Sequence, residues 1–118
     1  MGSSGELLWG KNLMPILKPK PQLKDFQKYV ARMERERKFD KEPILKKCLL
    51  LGEEVGELFK SIRKSQGIRM DKTAKPTSVE DELADVFIYI CEIANRTGTD
   101  LEKAFRNKEE KNKKRTWE

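Results

Sequence analysis

The chain has 118 residues, 39% of them charged and 36% hydrophobic, with 26 Lys and Arg against 20 Asp and Glu for a formal charge of +6. That length fits one small domain with a limited core, so a partner subunit is the default expectation, and the positive excess suits an anionic ligand such as a nucleotide or a nucleic acid. The absence of histidine excludes a Ser-His-Asp triad, a His general base and a His-liganded zinc site, and the two cysteines, Cys48 and Cys91, form no CxxC motif.

Residues 1–21 show no period. Pro15, Pro19 and Pro21 alternate with Lys18 and Lys20, and Met1-Gly2-Ser3-Ser4-Gly5 has the composition of a cloning scar. From Gln22 to about Phe39, Leu23, Phe26, Tyr29, Val30 and Met33 recur at three and four, which predicts an amphipathic helix. Pro43 suits the first turn of a second helix running to about Gln66, with Gly67 as its terminator. Its expected buried stripe is Ile44, Cys48, Leu51, Val55, Leu58 and Ile62, broadened by Leu45, Leu49 and Phe59.

A basic loop over 67–77 precedes a third helix, for which Ser78 is the expected N-cap and Gly98 the stop. Its expected stripe is Val79, Leu83, Val86, Ile90 and Ile93. Phe87, Ile88, Tyr89 and Cys91 lie outside that stripe and predict a second apolar face, covered by another subunit. Thr99 or Asp100 caps a fourth helix from about Leu101 to Arg115. The expected architecture is all-α, a four-helix bundle. Nothing in the sequence is long and apolar enough to span a membrane, no signal-peptide core is present, and both thiols read as reduced. The expected compartment is the cytoplasm.

Two acid pairs stand out. Glu54 and Glu57 are three apart on the second helix, and Glu82 and Asp85 are three apart on the third, so each pair shares a helix face. One such pair alone reads as a solvated face. Both pairs, however, lie one residue before a stripe position, so two packed helices bring four carboxylates to the edge of an apolar core. Anions so close repel unless a cation sits among them, and an all-oxygen ligand set selects a hard cation, Mg²⁺ or Mn²⁺. Glu53 can add a fifth carboxylate. On the fourth helix the stripe begun by Leu101, Ala104 and Phe105 continues as Lys108, Lys111, Asn112 and Arg115. Alone this is a solvated basic end. Beside a carboxylate-bound cation it reads as a phosphate grip.

The blocks Leu51-Gly52-Glu53-Glu54-Val55-Gly56-Glu57-Leu58 and Asp81-Glu82-Leu83-Ala84-Asp85-Val86, followed by Gly98-Thr99-Asp100-Leu101 and Lys108-x-x-x-Asn112-x-x-Arg115-x-Trp117, resemble the ExxE…ExxD pattern of the MazG-like all-α nucleotide pyrophosphatases. The likeness covers roughly residues 23–117, within a domain drawn at 22–118. It implies hydrolysis of nucleoside triphosphates, often deoxy forms, to the monophosphate and pyrophosphate, in house-cleaning of non-standard or excess nucleotides. It implies Mg²⁺ held by Glu54, Glu57, Glu82 and Asp85, with Mn²⁺ as a substitute. Lys108, Lys111, Asn112 and Arg115 would bind phosphate or sugar, and the assembly would be a homodimer or homotetramer. The related phosphoribosyl-ATP pyrophosphatases carry Tyr-His where this chain has Ile88-Tyr89, which argues against histidine biosynthesis.

With no histidine, a carboxylate or the metal must activate the attacking water, and Glu53 is the candidate to orient it. Tyr89, four residues after Asp85, can stack on a base or simply pack in the core, and Trp9 and Trp117 are weaker candidates for stacking. Two other classes stay open at this point. One is a small basic helical nucleic-acid-binding module without catalysis, built on Lys111–Arg115. The other is a purely structural bundle.

Overall fold

A computed structural model describes residues 6–9, 12–69, 71–73 and 77–117. Two short strands, β1 (Glu6–Trp9) and β2 (Asn12–Pro15), precede four helices: α1 (Leu23–Glu36), α2 (Ile44–Ser65), α3 (Val79–Arg96) and α4 (Leu101–Asn112). The all-α class expected from the periodicity is the observed one. The antiparallel hairpin, in register Glu6↔Pro15 to Trp9↔Asn12, is an addition to it, set in the segment that reads as irregular. Strands of four residues are too short to display a period of two, and Pro15 obscures the second one further.

Helix ends follow local chemistry closely. The backbone N–H of Asp81 donates to Ser78 Oγ at 3.0 Å, and that of Lys103 donates to Asp100 Oδ1 at 3.1 Å, so both expected caps are made. Gly67 and Gly98 end α2 and α3 at φ of +70° and +64°, a backbone region costly to other residues. Pro43 stands one position earlier than expected, as the N-cap of α2. The fourth helix stops at Asn112, so Arg115 lies beyond it.

The chain divides into two compact units. The first comprises residues 1–41 and 94–118. Here β2 packs along α1, and α1 meets α4. Val30, Met33 and Ala94 are its buried apolar residues. Gln27 ties α1 to the α3–α4 turn. Its Nε2 donates to Asn95 Oδ1 (3.2 Å) and to the Thr99 carbonyl (2.8 Å), while its Oε1 accepts from the Leu101 N–H (3.0 Å). Asn95 Nδ2 returns a bond to the Gln27 carbonyl at 2.9 Å. Arg96 reaches the buried Glu34 carboxylate at 3.5 Å.

The second unit comprises residues 42–93 and holds α2 and most of α3. Three contacts run in opposite order along the two helices: Lys47 with Glu92, Glu54 with Glu82 and Asp85, and Ser61 with Thr77, just before α3. The helices are therefore antiparallel. Their shared surface corrects the expected one in part: Leu51, Val55 and Leu58 of the expected α2 stripe and Val79, Val86 and Ile93 of the α3 stripe are half-buried, but the other members are not. The buried residues of α2 are Lys47 and Ser61, while Ile44, Leu45, Cys48, Leu49, Phe59 and Ile62 are exposed. On α3, Glu82, Cys91 and Glu92 are buried, Leu83 and Ile90 are exposed, and Phe87, Ile88 and Tyr89 are half-buried. The inward stripe is thus rotated toward the charged flank, and the outward apolar face belongs to Leu45, Leu49, Phe59 and Leu83 rather than to Phe87, Ile88, Tyr89 and Cys91. The physical cause is the ion pair and the hydroxyl pair, which must be satisfied once out of water, whereas leucines left outside cost only unrealised burial.

Candidate active site

Glu54 on α2 and Glu82 and Asp85 on α3 each offer a carboxylate oxygen, all within 4.8 Å of one another. Among the described residues this is the group with a geometry fit to hold a metal ion. Glu82 is buried, and its Oε2 has no hydrogen-bond partner. Glu54, Glu57 and Asp85 are half-buried. At such separations two ionised carboxylates repel by roughly 3–4 kcal/mol at an effective dielectric constant near 20. The pressure shows on Glu54, pushed up to about 7, first by burial, then by the Glu82 carboxyl against it and the charges of Asp85, Glu82 and Glu57. A solvent-starved oxygen without a hydrogen-bond donor among the described residues, inside an all-oxygen acidic group, fits a hard divalent cation.

The other expected site residues divide clearly. Glu57 stands near enough to raise Glu54, but it is not one of the three converging groups. Glu53 is exposed on the neighbouring face of α2. Tyr89 is half-buried. Its hydroxyl is held in the neutral form by burial, then by the carboxylates of Glu92 and Glu54, with Lys47 opposing. Lys108, Lys111, Asn112 and Arg115 belong to the other unit. Lys108, Lys111 and Arg115 are exposed, and the Arg115 guanidinium lies 5.1 Å from the centre of the Trp117 ring. Asn112 donates to Glu109 Oε1 at 3.1 Å and keeps a buried Oδ1 without a partner. Trp9 lies in β1, and its side chain is outside the described residues.

Sequence reasoning missed Lys47, Glu92 and Glu42. Lys47 is 1% exposed, and its ammonium donates to Glu92 Oε1 at 3.0 Å and Glu42 Oε1 at 2.9 Å. The available signal was spacing: Lys47 is seven residues before Glu54, and Glu92 is seven after Asp85.

The metal-free protein should lose stability as pH rises from about 5 to 7.5. Below the ordinary glutamate value both native and unfolded states hold the Glu54 proton. Above it the unfolded chain releases that proton while the native chain keeps it until about 7. Stability falls across that interval, because the native state binds more protons there. The lowered carboxyls, Asp25 and Glu42, titrate at lower pH and leave this window clear. Calorimetry in EDTA checks the slope, and saturating Mg²⁺ should remove it by favouring the ionised group. A flat EDTA profile would contradict the crowding.

An all-α chain that gathers carboxylates from two antiparallel helices around one point belongs, by fold and site, among the helical hydrolases of nucleotide anhydrides. The model of the MazG nucleotide pyrophosphohydrolase domain matches residues 42–117, and the chain belongs to that family. It is a nucleoside triphosphate pyrophosphatase, which excludes the non-catalytic and purely structural readings. Among solved structures it is similar to iMazG from Vibrio DAT 722, with 35% sequence identity and a TM-score of 0.59 over 79% of this chain and 99% of that one. No curated protein matches it.

Proposed function

We propose that the chain hydrolyses nucleoside triphosphates, deoxy forms foremost, with Mg²⁺, converting (d)NTP and water to (d)NMP and pyrophosphate. Its role is to clear non-standard or excess nucleotides in the cytoplasm. The observation that carries this reading is the convergence of Glu54, Glu82 and Asp85 around a buried carboxylate oxygen without a partner. These three, with Glu57 beside them, would hold the cation, Mg²⁺ or in its place Mn²⁺. When bound, it supplies positive charge where charge develops on the phosphates. The chain's own residues do the rest. Glu53 orients the attacking water. Lys108, Lys111, Asn112 and Arg115 bind the phosphates or sugar. Tyr89 stacks on the base. A panel of dNTPs with pyrophosphate detection, with and without Mg²⁺, tests the reading. Orthophosphate as the product, or turnover indifferent to EDTA, would overturn it. Salt-sensitive oligonucleotide binding without turnover would do so equally.

Lys111→Ala/Arg115→Ala should raise KM while leaving far-UV dichroism unchanged. Both side chains are exposed and contribute little to the fold, while a charged phosphate contact contributes about 1.5–3 kcal/mol. The expected rise is therefore about tenfold or more for each contact made. Unchanged steady-state constants would make this end of the chain a solvated tail.

We also infer a homo-oligomer whose minimal unit is a dimer, either alone or paired into a tetramer. On α2, Leu45, Leu49, Gly52, Gly56 and Phe59 follow one another by four and three along one stripe. The three large residues are 67%, 66% and 65% exposed. A Cβ at either glycine would meet nothing within 4 Å. Glycine inside a helix costs up to about 1 kcal/mol against alanine. An apolar stripe with two such residues at its centre suits the close approach of another helix, and a second copy supplies one by symmetry.

A further inference from the structure

We propose that Lys47 and Glu92 are positioning residues that fix the register of α2 against α3, and so hold the carboxylates of Glu54, Glu82 and Asp85 together before any cation arrives. The inference rests on the metal-binding reading given above.

The two contacts are coupled by geometry. Seven residues are almost two helical turns, about 10.5 Å of rise, so side chains seven apart point nearly the same way. Lys47 precedes Glu54 by seven on α2, and Glu92 follows Asp85 by seven on α3. In an antiparallel pair the two contacts are therefore rungs of one ladder, two turns apart. One rung attracts and the other repels. The Lys47 ammonium is 1% exposed and the Glu92 side chain 3%, with 3.0 Å between Nζ and Oε1. Glu42 accepts from the same ammonium at 2.9 Å. At the other rung, carboxylate oxygens of Glu54, Glu82 and Asp85 lie within 4.8 Å of one another.

Left to itself, the acidic rung would slide or splay, because apolar contacts resist neither motion directionally. A buried ion pair does resist both. A one-residue slip would leave an ammonium and a carboxylate out of water and unpaired, which is the state a buried pair penalises most. Buried polar groups in helix pairs serve to select register in this way. The cost of assembling the anions is thus met when the chain folds, not when the cation binds. Glu42 retains Lys46 as a second partner, so replacing Lys47 does not strand it.

The test is Mn²⁺ binding to the full chain, followed by the electron paramagnetic resonance of free Mn²⁺. Lys47→Met/Glu92→Met removes the pair while keeping side-chain volume, an exchange that leaves stability unchanged or raises it. Expected is a Kd for Mn²⁺ weakened by about tenfold or more, as for other supporting groups of a metal site, with melting temperature and helicity retained. In the same variant the Mg²⁺ concentration for half-maximal turnover should rise by a like factor, while kcat at saturating Mg²⁺ returns close to wild type. An Mn²⁺ affinity equal to wild type in the folded double variant overturns the inference. Should that variant fail to fold, Glu92→Gln answers the same question. It keeps the shape, and Mn²⁺ binding weakened threefold or more supports the inference, whereas unchanged binding overturns it. A wild-type chain that binds no Mn²⁺ overturns the metal reading itself, and this inference with it.

Discussion

Glu82→Gln should reduce kcat/KM by at least about 100-fold while the metal-free protein becomes more stable. Supporting groups around a metal site already contribute 10- to 100-fold, so a ligand whose charge faces the cation contributes no less. Glu82 is the most buried of the three converging groups, and its Oε2 lacks a partner. The amide is isosteric but neutral, so it binds a hard cation weakly. It also removes one of the neighbouring carboxylates that, after burial, help push Glu54 up to about 7. Loss of activity together with a higher melting temperature in EDTA is therefore the signature of a ligand cluster. A structural glutamate would give the opposite pair, lower stability with activity to match. Asp85→Asn should behave in the same way. Glu57→Gln, outside the trio, should lose activity with a smaller gain in stability. Wild-type turnover in Glu82→Gln would remove this site from the reaction.

Leu45→Asp/Leu49→Asp should convert the oligomer into monomers near 13.8 kDa. Burying a leucine side chain contributes roughly 1.5–3 kcal/mol, and desolvating an aspartate opposes association further. Two such changes per subunit, doubled by a two-fold axis, weaken a dimer by at least about 10⁴-fold. Both residues are more than 60% exposed in the single chain, so the substitutions should leave the fold of each subunit intact. Light scattering with circular dichroism separates dissociation from unfolding. An Ile88→Asp change, by contrast, strikes a half-buried position and should lower subunit stability directly. A wild-type protein that stays monomeric at high micromolar concentration with full activity would exclude the dimer.

The basic helix α4 separates what local spacing and what tertiary placement reveal in this protein. The α4 stripe of Leu101, Ala104 and Phe105 giving way to Lys108, Lys111 and Asn112 is legible from spacing alone, and so is the cap at Asp100. That Asn112 keeps a buried oxygen without a partner is visible only once the helix is placed.

By itself the sequence determined the four helices, their caps and stops, and the spacing that sets Glu54 against Glu57 and Glu82 against Asp85. Each of these depends on interactions within a turn or two: a hydroxyl or carboxylate to an N–H three residues on, a glycine at positive φ, a 3.6-residue period. The tertiary structure decided which flank of α2 and α3 turns inward. Apolar residues occupy two adjacent flanks of α2, so the period could not choose between them, and the acid pairs read as lying at the edge of the buried stripe. The choice was made by Lys47 finding Glu92 across 45 positions of chain and by Ser61 meeting Thr77. Buried charges and hydroxyls must be paired, and leucines need only be covered. The carboxylates were therefore drawn inward, and Leu45 and Leu49 were left on the surface of the subunit.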